Sequence, residues 1–239
     1  MIRLGVNIDH VATVRNARGS SHPDPLSIAK HVMECGAHSI TIHLREDRRH
    51  IRDLDVVKIC KNKKIITNLE ISLNNDVLRI ALENKPNFIC IVPENRKEVT
   101  TEGGLNLSKN LNKIRKIIKQ FKIKKIRTSL FIDPNLNDIK IAKELNVDCI
   151  ELHTGKISDL IKSKKNYTQE YLKIKKCCQV AKNIGLEVHA GHGLDYKSAT
   201  ILSKLKEIEE FNIGHFIIGE SIIHGLKNTI KRFKKISNT

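Results

Sequence analysis

The chain has 239 residues, of which 40% are apolar and 29% charged, with no Trp and only 4% aromatic residues. So few aromatics argue against a stacking platform for single-stranded nucleic acid. The formal net charge of +17 fits either a polyanion-binding surface or Lys over-use throughout an AT-rich coding sequence. The second reading is favoured, because the Lys residues are spread along segments such as 109–125 and 227–235. In either case the excess charge draws anionic substrates.

Six Cys, at 35, 60, 90, 149, 177 and 178, show no CxxC pair, and most read as small core residues. The first residues run straight into a strand. No signal-peptide pattern and no apolar run of membrane-spanning length is apparent. The expectation is a cytoplasmic protein with neither a membrane nor a nucleic-acid partner.

In chain order the strand candidates are Leu4–Asp9, Ser39–Leu44, Ile65–Glu70, Phe88–Pro93, Thr128–Asp133, Cys149–His153, Glu187–Ala190 and Phe216–Gly219. Amphipathic segments lie between them, such as Leu26–Cys35, Asp76–Asn84, Leu107–Phe121, Asn135–Asn146, Gln169–Asn183 and Tyr196–Leu205, with a last helix near Ile222–Lys235. Alternating β and α units imply a parallel sheet. Eight strands in a chain of this length point to an α/β fold closed as a (β/α)8 TIM barrel. No GxGxxG follows the first strand, which weakens an open dinucleotide-binding sheet. Residues 1–239 read as one domain. Two excursions interrupt the alternation, a polar Gly-containing loop at Glu94–Leu105 and a short extra helix at Ile157–Asn166.

Within the strands, polar residues share one parity. Asn7 and Asp9 oppose Val6 and Ile8, His43 and Arg45 oppose Ile42 and Leu44, and Glu70 opposes Leu69. Ser129 and Asp133 oppose Leu130 and Ile132, while Glu151 and His153 oppose Ile150 and Leu152. Successive strand side chains point to opposite faces, so this set faces the barrel interior near the C-terminal strand ends, where barrel active sites lie. The candidate constellation is Asn7, Asp9, His10, Arg18, His43, Arg45, His50, Glu70, Thr100, Glu151, His153, His192 and His215. Several His with carboxylates suit repeated proton transfers, and the Arg forks match phosphate or carboxylate oxygens. The turns Ala190-Gly191-His192-Gly193-Leu194 and Gly219-Glu220-Ser221 follow the seventh and eighth candidate strands, where barrels commonly bind phosphate. An imine-forming aldolase would need a Lys at an inner strand end, and none is clear. Zinc could be held by His153, His189 and His192, but His189 and His192 have opposite parity. An aldolase or isomerase acting on phosphosugars and a polyanion-binding protein are the alternatives.

Seven motifs then carry a resemblance along the whole chain. They are Gly5-Val6-Asn7-Ile8-Asp9-His10, Arg15-Asn16-Ala17-Arg18-Gly19, His43-Leu44-Arg45-Glu46-Asp47-Arg48-Arg49-His50, Val92-Pro93-Glu94, Glu98-Val99-Thr100-Thr101-Glu102-Gly103-Gly104, Ala190-Gly191-His192-Gly193-Leu194 and Asn212-Ile213-Gly214-His215. Together they resemble the pyridoxine 5′-phosphate synthase family. The resemblance implies a barrel with extra helices and a homo-oligomer, an octamer built from dimers. It implies condensation of 1-deoxy-D-xylulose 5-phosphate with 3-amino-2-oxopropyl phosphate, without metal or organic cofactor. Carried over residue by residue, it implies that His43 and Glu70 accept protons, His192 donates one and Glu151 stabilises a transition state. Asn7 and Arg18 would hold the aminoketone phosphate. Asp9, His10, Arg45, His50 and Thr100 would contact the sugar phosphate. Gly193, Gly214 and His215 would line a phosphate site. The chain departs from the family pattern at His189 and Glu220.

Overall fold

The computed structural model describes residues 1–94 and 103–238. Eight parallel strands close in sequence order: β1 Arg3–Asn7, β2 Ser39–Leu44, β3 Thr67–Ile71, β4 Phe88–Ile91, β5 Arg127–Ile132, β6 Cys149–His153, β7 Glu187–Gly191 and β8 Ile208–Ile213. Pairing of Gly5 with Asn212, and of Ala190 with Phe211, seals the barrel around β8. The helices are α1 Asp9–Arg18, α2 Pro25–Glu34, α3 Asp53–Lys61, α4 Asn75–Asn84, α5 Leu107–Ile123, α6 Leu136–Glu144, α7 Gly155–Lys162, α8 Thr168–Asn183, α9 Tyr196–Leu202, α10 His215–His224 and α11 Leu226–Ser237.

Local chemistry starts and stops these helices where loops must turn. Asp24 accepts from Ser27 N at 2.9 Å with Pro25 in the first turn of α2, and Asn106 accepts from Lys109 N at 3.0 Å at the start of α5. Such caps satisfy amides that have no partner within the helix. Gly19 closes α1 at φ 66°, a left-handed conformation that costs other residues more.

The outward strand parity builds the main core. Leu4, Val6, Ile40, Ile42, Leu69, Ile89, Leu130, Ile150 and Val188 are fully buried against the helices. The inward parity is largely polar. Cys90, Val92 and Phe131 form a small apolar cluster separate from the main core. Much of the rest of the interior is hydrogen-bonded, as burial of polar groups requires, although Asn68 Oδ1 and Ser129 Oγ are buried without a partner. Ser39 donates to Glu210 at 3.0 Å, Asn212 to Glu151 at 2.7 Å and Thr41 to Asn212 at 3.3 Å. At the N-terminal mouth, Glu187 pairs with Arg3, with Arg127 at 2.5 Å and with His189 at 2.8 Å.

Seven of the eight expected strands coincide with observed ones to within a few residues. The eighth does not. Phe216–Gly219 lies inside α10, and the strand is Ile208–Ile213. Glu210 and Asn212 point into the polar interior, so this strand lacks the apolar run that marks the others. Gly219-Glu220-Ser221 is therefore helical, and the turn after β8 is Gly214-His215. Glu220 faces His224 at 3.7 Å along that helix. The expected last helix at Ile222–Lys235 divides at Gly225, with φ 76°, into the end of α10 and α11.

Gly5 shows how little room the interior leaves. A methyl group there would run into Asn212 Oδ1 and sit 2.8 Å from Ser39 Oγ and 3.0 Å from Glu210 Oε1. Gly5→Ala is expected to lower stability by about 1–3 kcal/mol through overpacking, read as a lower urea midpoint with an unchanged slope.

Candidate active site

The C-terminal ends of β1, β2, β3, β6, β7 and β8 bring most of the expected residues together. Asn7 ends β1. Its Nδ2 donates to Asp9 Oδ2 at 2.9 Å, and its Oδ1 accepts from Asp9 N at 2.9 Å. Asp9 opens α1 rather than extending the strand, yet still turns inward, because its Oδ1 accepts from His43 N at 2.9 Å. Gly214 comes close enough to Asn7 that a methyl group would lie 2.9 Å from Asn7 Cβ. His215 begins α10, whose first-turn amides are suited to an anion. The His215 ring lies 5.0 Å from that of His10, whose proton affinity is lowered by burial.

His43 projects from β2 between two carboxyl groups. Its Nδ1 is 3.8 Å from Glu70 Oε2, and its Nε2 is 3.9 Å from Glu94 Oε2. Burial first, and then the neighbouring His50 and Arg45, push its pKa well below the usual imidazole value, so the ring is neutral at neutral pH. Glu70 is pushed the other way, by burial and then by the charges of Glu151 and Asp9. Burial also raises Glu151, to about 7, against opposing help from His189 and Asn212. Gly191 is required beside it, because a methyl group there would run into Glu151 Oε1.

His192 follows β7 with φ 74°, an uncommon conformation for a residue with a side chain. Thr154 Oγ1 pins the turn, lying 2.7 Å from the carbonyl oxygens of both Gly191 and His192 with its one proton available to either. The His192 ring lies 4.9 Å from the His153 ring. Burial and His153 lower its pKa to about 4. Asp133, just past β5, lies 3.2 Å from His153 Nδ1 and orients that ring. Gly193, with φ 76°, packs 3.3 Å from Gly155 Cα when given a methyl group, at the start of α7. A cleft of about 480 Å³ opens here, lined in part by His153, Gly155, Lys156 and His192.

The charged octet after β2 divides into two parts. Arg45 turns in toward Glu94, with Nε 3.4 Å from Oε1. The rest is a frame. Arg48 bonds Asp53 at 2.7 Å and Asp76 at 2.6 Å, Arg49 pairs with Asp47 at 2.6 Å, and Glu46 accepts from Ser72 Oγ at 2.9 Å. Beneath it, Arg15 and Asp55 form a buried two-pronged ion pair at 2.7 and 2.8 Å. Arg15 also donates to His50 O at 3.1 Å, and Asn16 to the same carbonyl at 2.8 Å. That clamp sets His50, whose Nδ1 accepts from Ile51 N at 2.9 Å and lies 3.9 Å from Asp9 Oδ1.

Two expected residues stand apart. Arg18 is exposed in the last turn of α1, about 13 Å along the helix axis from Asp9. Thr100 lies outside the described residues. Glu94 and Asp133 join the site without having been among the expected residues, since each stands across from a His ring that no spacing in the chain records. Among the described residues, Asp9, His43 and His50 place donor atoms within 4.8 Å of one another and are the one group that could hold a metal. Two of these residues already commit an atom to a hydrogen bond that fixes the site, Asp9 Oδ1 and His50 Nδ1. The trio of His153, His189 and His192, weighed as a zinc site and disfavoured on parity, is not brought together, since His189 sits lower in the barrel on Glu187.

Three comparisons bear on this arrangement. A family model described as "Pyridoxal phosphate biosynthesis protein PdxJ" matches residues 4–239. A pyridoxine 5′-phosphate synthase of Pelagibacter ubique (strain HTCC1062) is 75% identical over 238 residues, covering 100% of both chains. One from Wolbachia pipientis subsp. Culex pipiens (strain wPip) is 49% identical over 236 residues, covering 98% of each. Among solved structures, the tryptophan synthase A-subunit of Pyrococcus furiosus superposes with a TM-score of 0.61 at 13% identity, covering 100% of this chain and 98% of that one. That last likeness concerns the fold alone.

Replacing Asp55 by Asn leaves Arg15 buried without its counter-charge, and an expected loss of about 3–5 kcal/mol is measurable by urea unfolding. A second expectation concerns pH. Glu151 titrates near 4.5 when unfolded and about 7 when folded, so the folded form binds more protons between those values. Its contribution to stability is full below the lower value and is lost as pH rises through the upper one. His192 works oppositely, being about 4 when folded against 6.5, and adds nothing further above pH 6.5. From pH 6.5 upward the Tm should therefore fall, and fall less in Glu151→Gln.

Proposed function

The chain belongs to the pyridoxal phosphate biosynthesis protein PdxJ family, and from that premise we propose how its side chains divide the work. It is an enzyme of vitamin B6 biosynthesis, a pyridoxine 5′-phosphate synthase by function. It condenses 1-deoxy-D-xylulose 5-phosphate with 3-amino-2-oxopropyl phosphate and releases phosphate and water. The observation that carries our assignment is the pairing of the buried His43 with the slightly exposed Glu70 at adjacent strand ends.

The substrate amine supplies the imine nitrogen, so no Lys need act as the nucleophile. No Lys is among the buried residues described, which counts against the imine-forming aldolase reading. Dehydration, enolisation, phosphate loss and ring closure each move protons. His43, neutral at rest, is a free base. Glu70, its proton affinity raised by burial, both takes and returns protons. Glu151, beside it, stabilises charge that develops on the ring precursor. His192 is neutral at rest. A phosphate dianion at the Gly193 turn favours the charged ring, so the donor becomes loaded in the substrate complex.

Asn7 holds the aminoketone phosphate, with Gly193, Gly214 and His215 around a phosphate at the α10 N-terminus, and Arg18, exposed at the far end of α1, joins it only by swinging its long side chain in toward the bound anion. Asp9, His10, Arg45, His50 and Thr100 contact the sugar phosphate. Binding two anions side by side supplies much of the rate through orientation. No metal or organic cofactor enters this scheme. Residues 1–239 act as one domain, in the cytoplasm. None of the described helices is long and apolar enough to cross a membrane. We place the chain in a homo-oligomer, up to an octamer. Ile222 and Ile223, 83% and 74% exposed on α10, with Val14 on the neighbouring α1, supply apolar surface for it.

Glu70→Gln and His43→Asn are each expected to reduce turnover about 100-fold or more while circular dichroism stays native. The assay is formation of the ring product, followed by absorbance from the two substrates. Turnover like the parent enzyme in both variants would overturn these roles.

A further inference from the structure

His43 has a carboxyl group on either side, and the roles above use only Glu70. Glu94, directly after β4, is the other. His43 Nε2 and Glu94 Oε2 are both buried without a hydrogen-bond partner, and they face each other across 3.9 Å. The two side chains are 6% and 1% exposed, so water does not readily satisfy either atom. Each orphaned buried polar atom carries an uncompensated desolvation cost. One bond between them, formed by closing about an ångström, removes both costs, and catalytic bonds are often this long before substrate binds.

The remaining oxygen of Glu94 is fixed. Its Oε1 accepts from Glu46 N at 2.9 Å, and Arg45 Nε lies 3.4 Å away. The loop after β2 thus holds the carboxylate from one side and leaves Oε2 directed at the imidazole. A neutral imidazole carries one proton, and the partner of one ring nitrogen decides where it sits. Glu70, across the ring at Nδ1, competes for it.

We propose that Glu94 is a positioning residue for His43: its carboxylate accepts the Nε2 proton and leaves Nδ1 as the bare nitrogen beside Glu70 and the substrate. The inference rests on His43 being a proton acceptor. Without Glu94, the proton shifts to Nδ1 and the ring meets the substrate as a donor. The same carboxylate steadies Arg45, so one group orders both a base and an anion-binding cation.

The test uses the full chain with ¹⁵N-labelled histidine, the His43 ring signals being assigned by their loss in His43→Asn. Spectra are taken without substrate, and steady-state kinetics are run alongside. The parent protein should carry the proton on Nε2. Glu94→Gln preserves the shape and an acceptor for Glu46 N but presents an amide to the ring. It should move the proton to Nδ1 and lower kcat by roughly 100-fold, with KM for the sugar phosphate little changed. Glu94→Asp keeps the charge and should restore the Nε2–H form and part of the turnover; if Glu94→Gln folds poorly, this variant decides. An unchanged tautomer in Glu94→Gln, or a loss confined to KM through Arg45, overturns the proposal. The tautomer is read without turnover, so its failure is distinct from failure of the functional reading, which would appear as full activity in His43→Asn.

Discussion

Two carboxyl groups, Glu70 and Glu151, share the dry interior of one closed barrel, and the rest of the site is arranged around that constraint. Glu151 is buried and Glu70 only slightly exposed, and the charge of Glu151 acts on Glu70, so two negative charges there are costly. The protein meets the cost by holding proton affinity high at both positions and by giving Glu151 one firm donor, Asn212 at 2.7 Å. Asn212 in turn fixes Thr41 and requires Gly5, and Glu151 requires Gly191. Small residues in the strands are therefore the counterpart of large polar ones opposite them. What makes the interior awkward to fold makes it useful, because carboxyls whose proton affinity is raised can take and return protons.

A second arrangement holds the ligand-facing loop rigid. The buried Arg15–Asp55 pair is weak evidence for stability in itself, since desolvation offsets much of the attraction. Its geometry matters more. Both partners also engage the backbone, Arg15 at the His50 carbonyl and Asp55 at Arg52 N. The pair thus converts the position of α1 and α3 into the position of His50. The outer charges, Arg48 with Asp53 and Asp76, and Arg49 with Asp47, serve the same loop from the solvent side, where each is worth little alone.

Strand parity made seven strands and the inward set of Asn7, His43, Glu70 and Glu151 legible, because alternation is a backbone property that survives when the buried face is polar. The same polarity hid β8. Ile208-Glu209-Glu210-Phe211-Asn212-Ile213 reads as a surface segment unless Glu210 and Asn212 are known to face a hydrogen-bonded interior. The apolar Phe216–Gly219 then drew the eighth strand into what is α10. Gly214 and His215 were found through motif resemblance rather than by counting strands. Glu94 and Asp133 escaped because their meaning lies in what stands across from them, the rings of His43 and His153, and no spacing in the chain records that.

The central claim is that burial raises the proton affinity of Glu70 and Glu151, so that a carboxyl proton is held in the barrel at neutral pH. Infrared spectroscopy of the protein at pH 7 tests it directly, because a protonated carboxyl in a dry site has a carbonyl stretch distinct from any carboxylate. The account expects such a band in the parent protein, shifted on transfer to D₂O and lost in the Glu70→Gln/Glu151→Gln double variant. A parent spectrum at pH 7 with no protonated carboxyl band, or one that the double variant leaves intact, would contradict it.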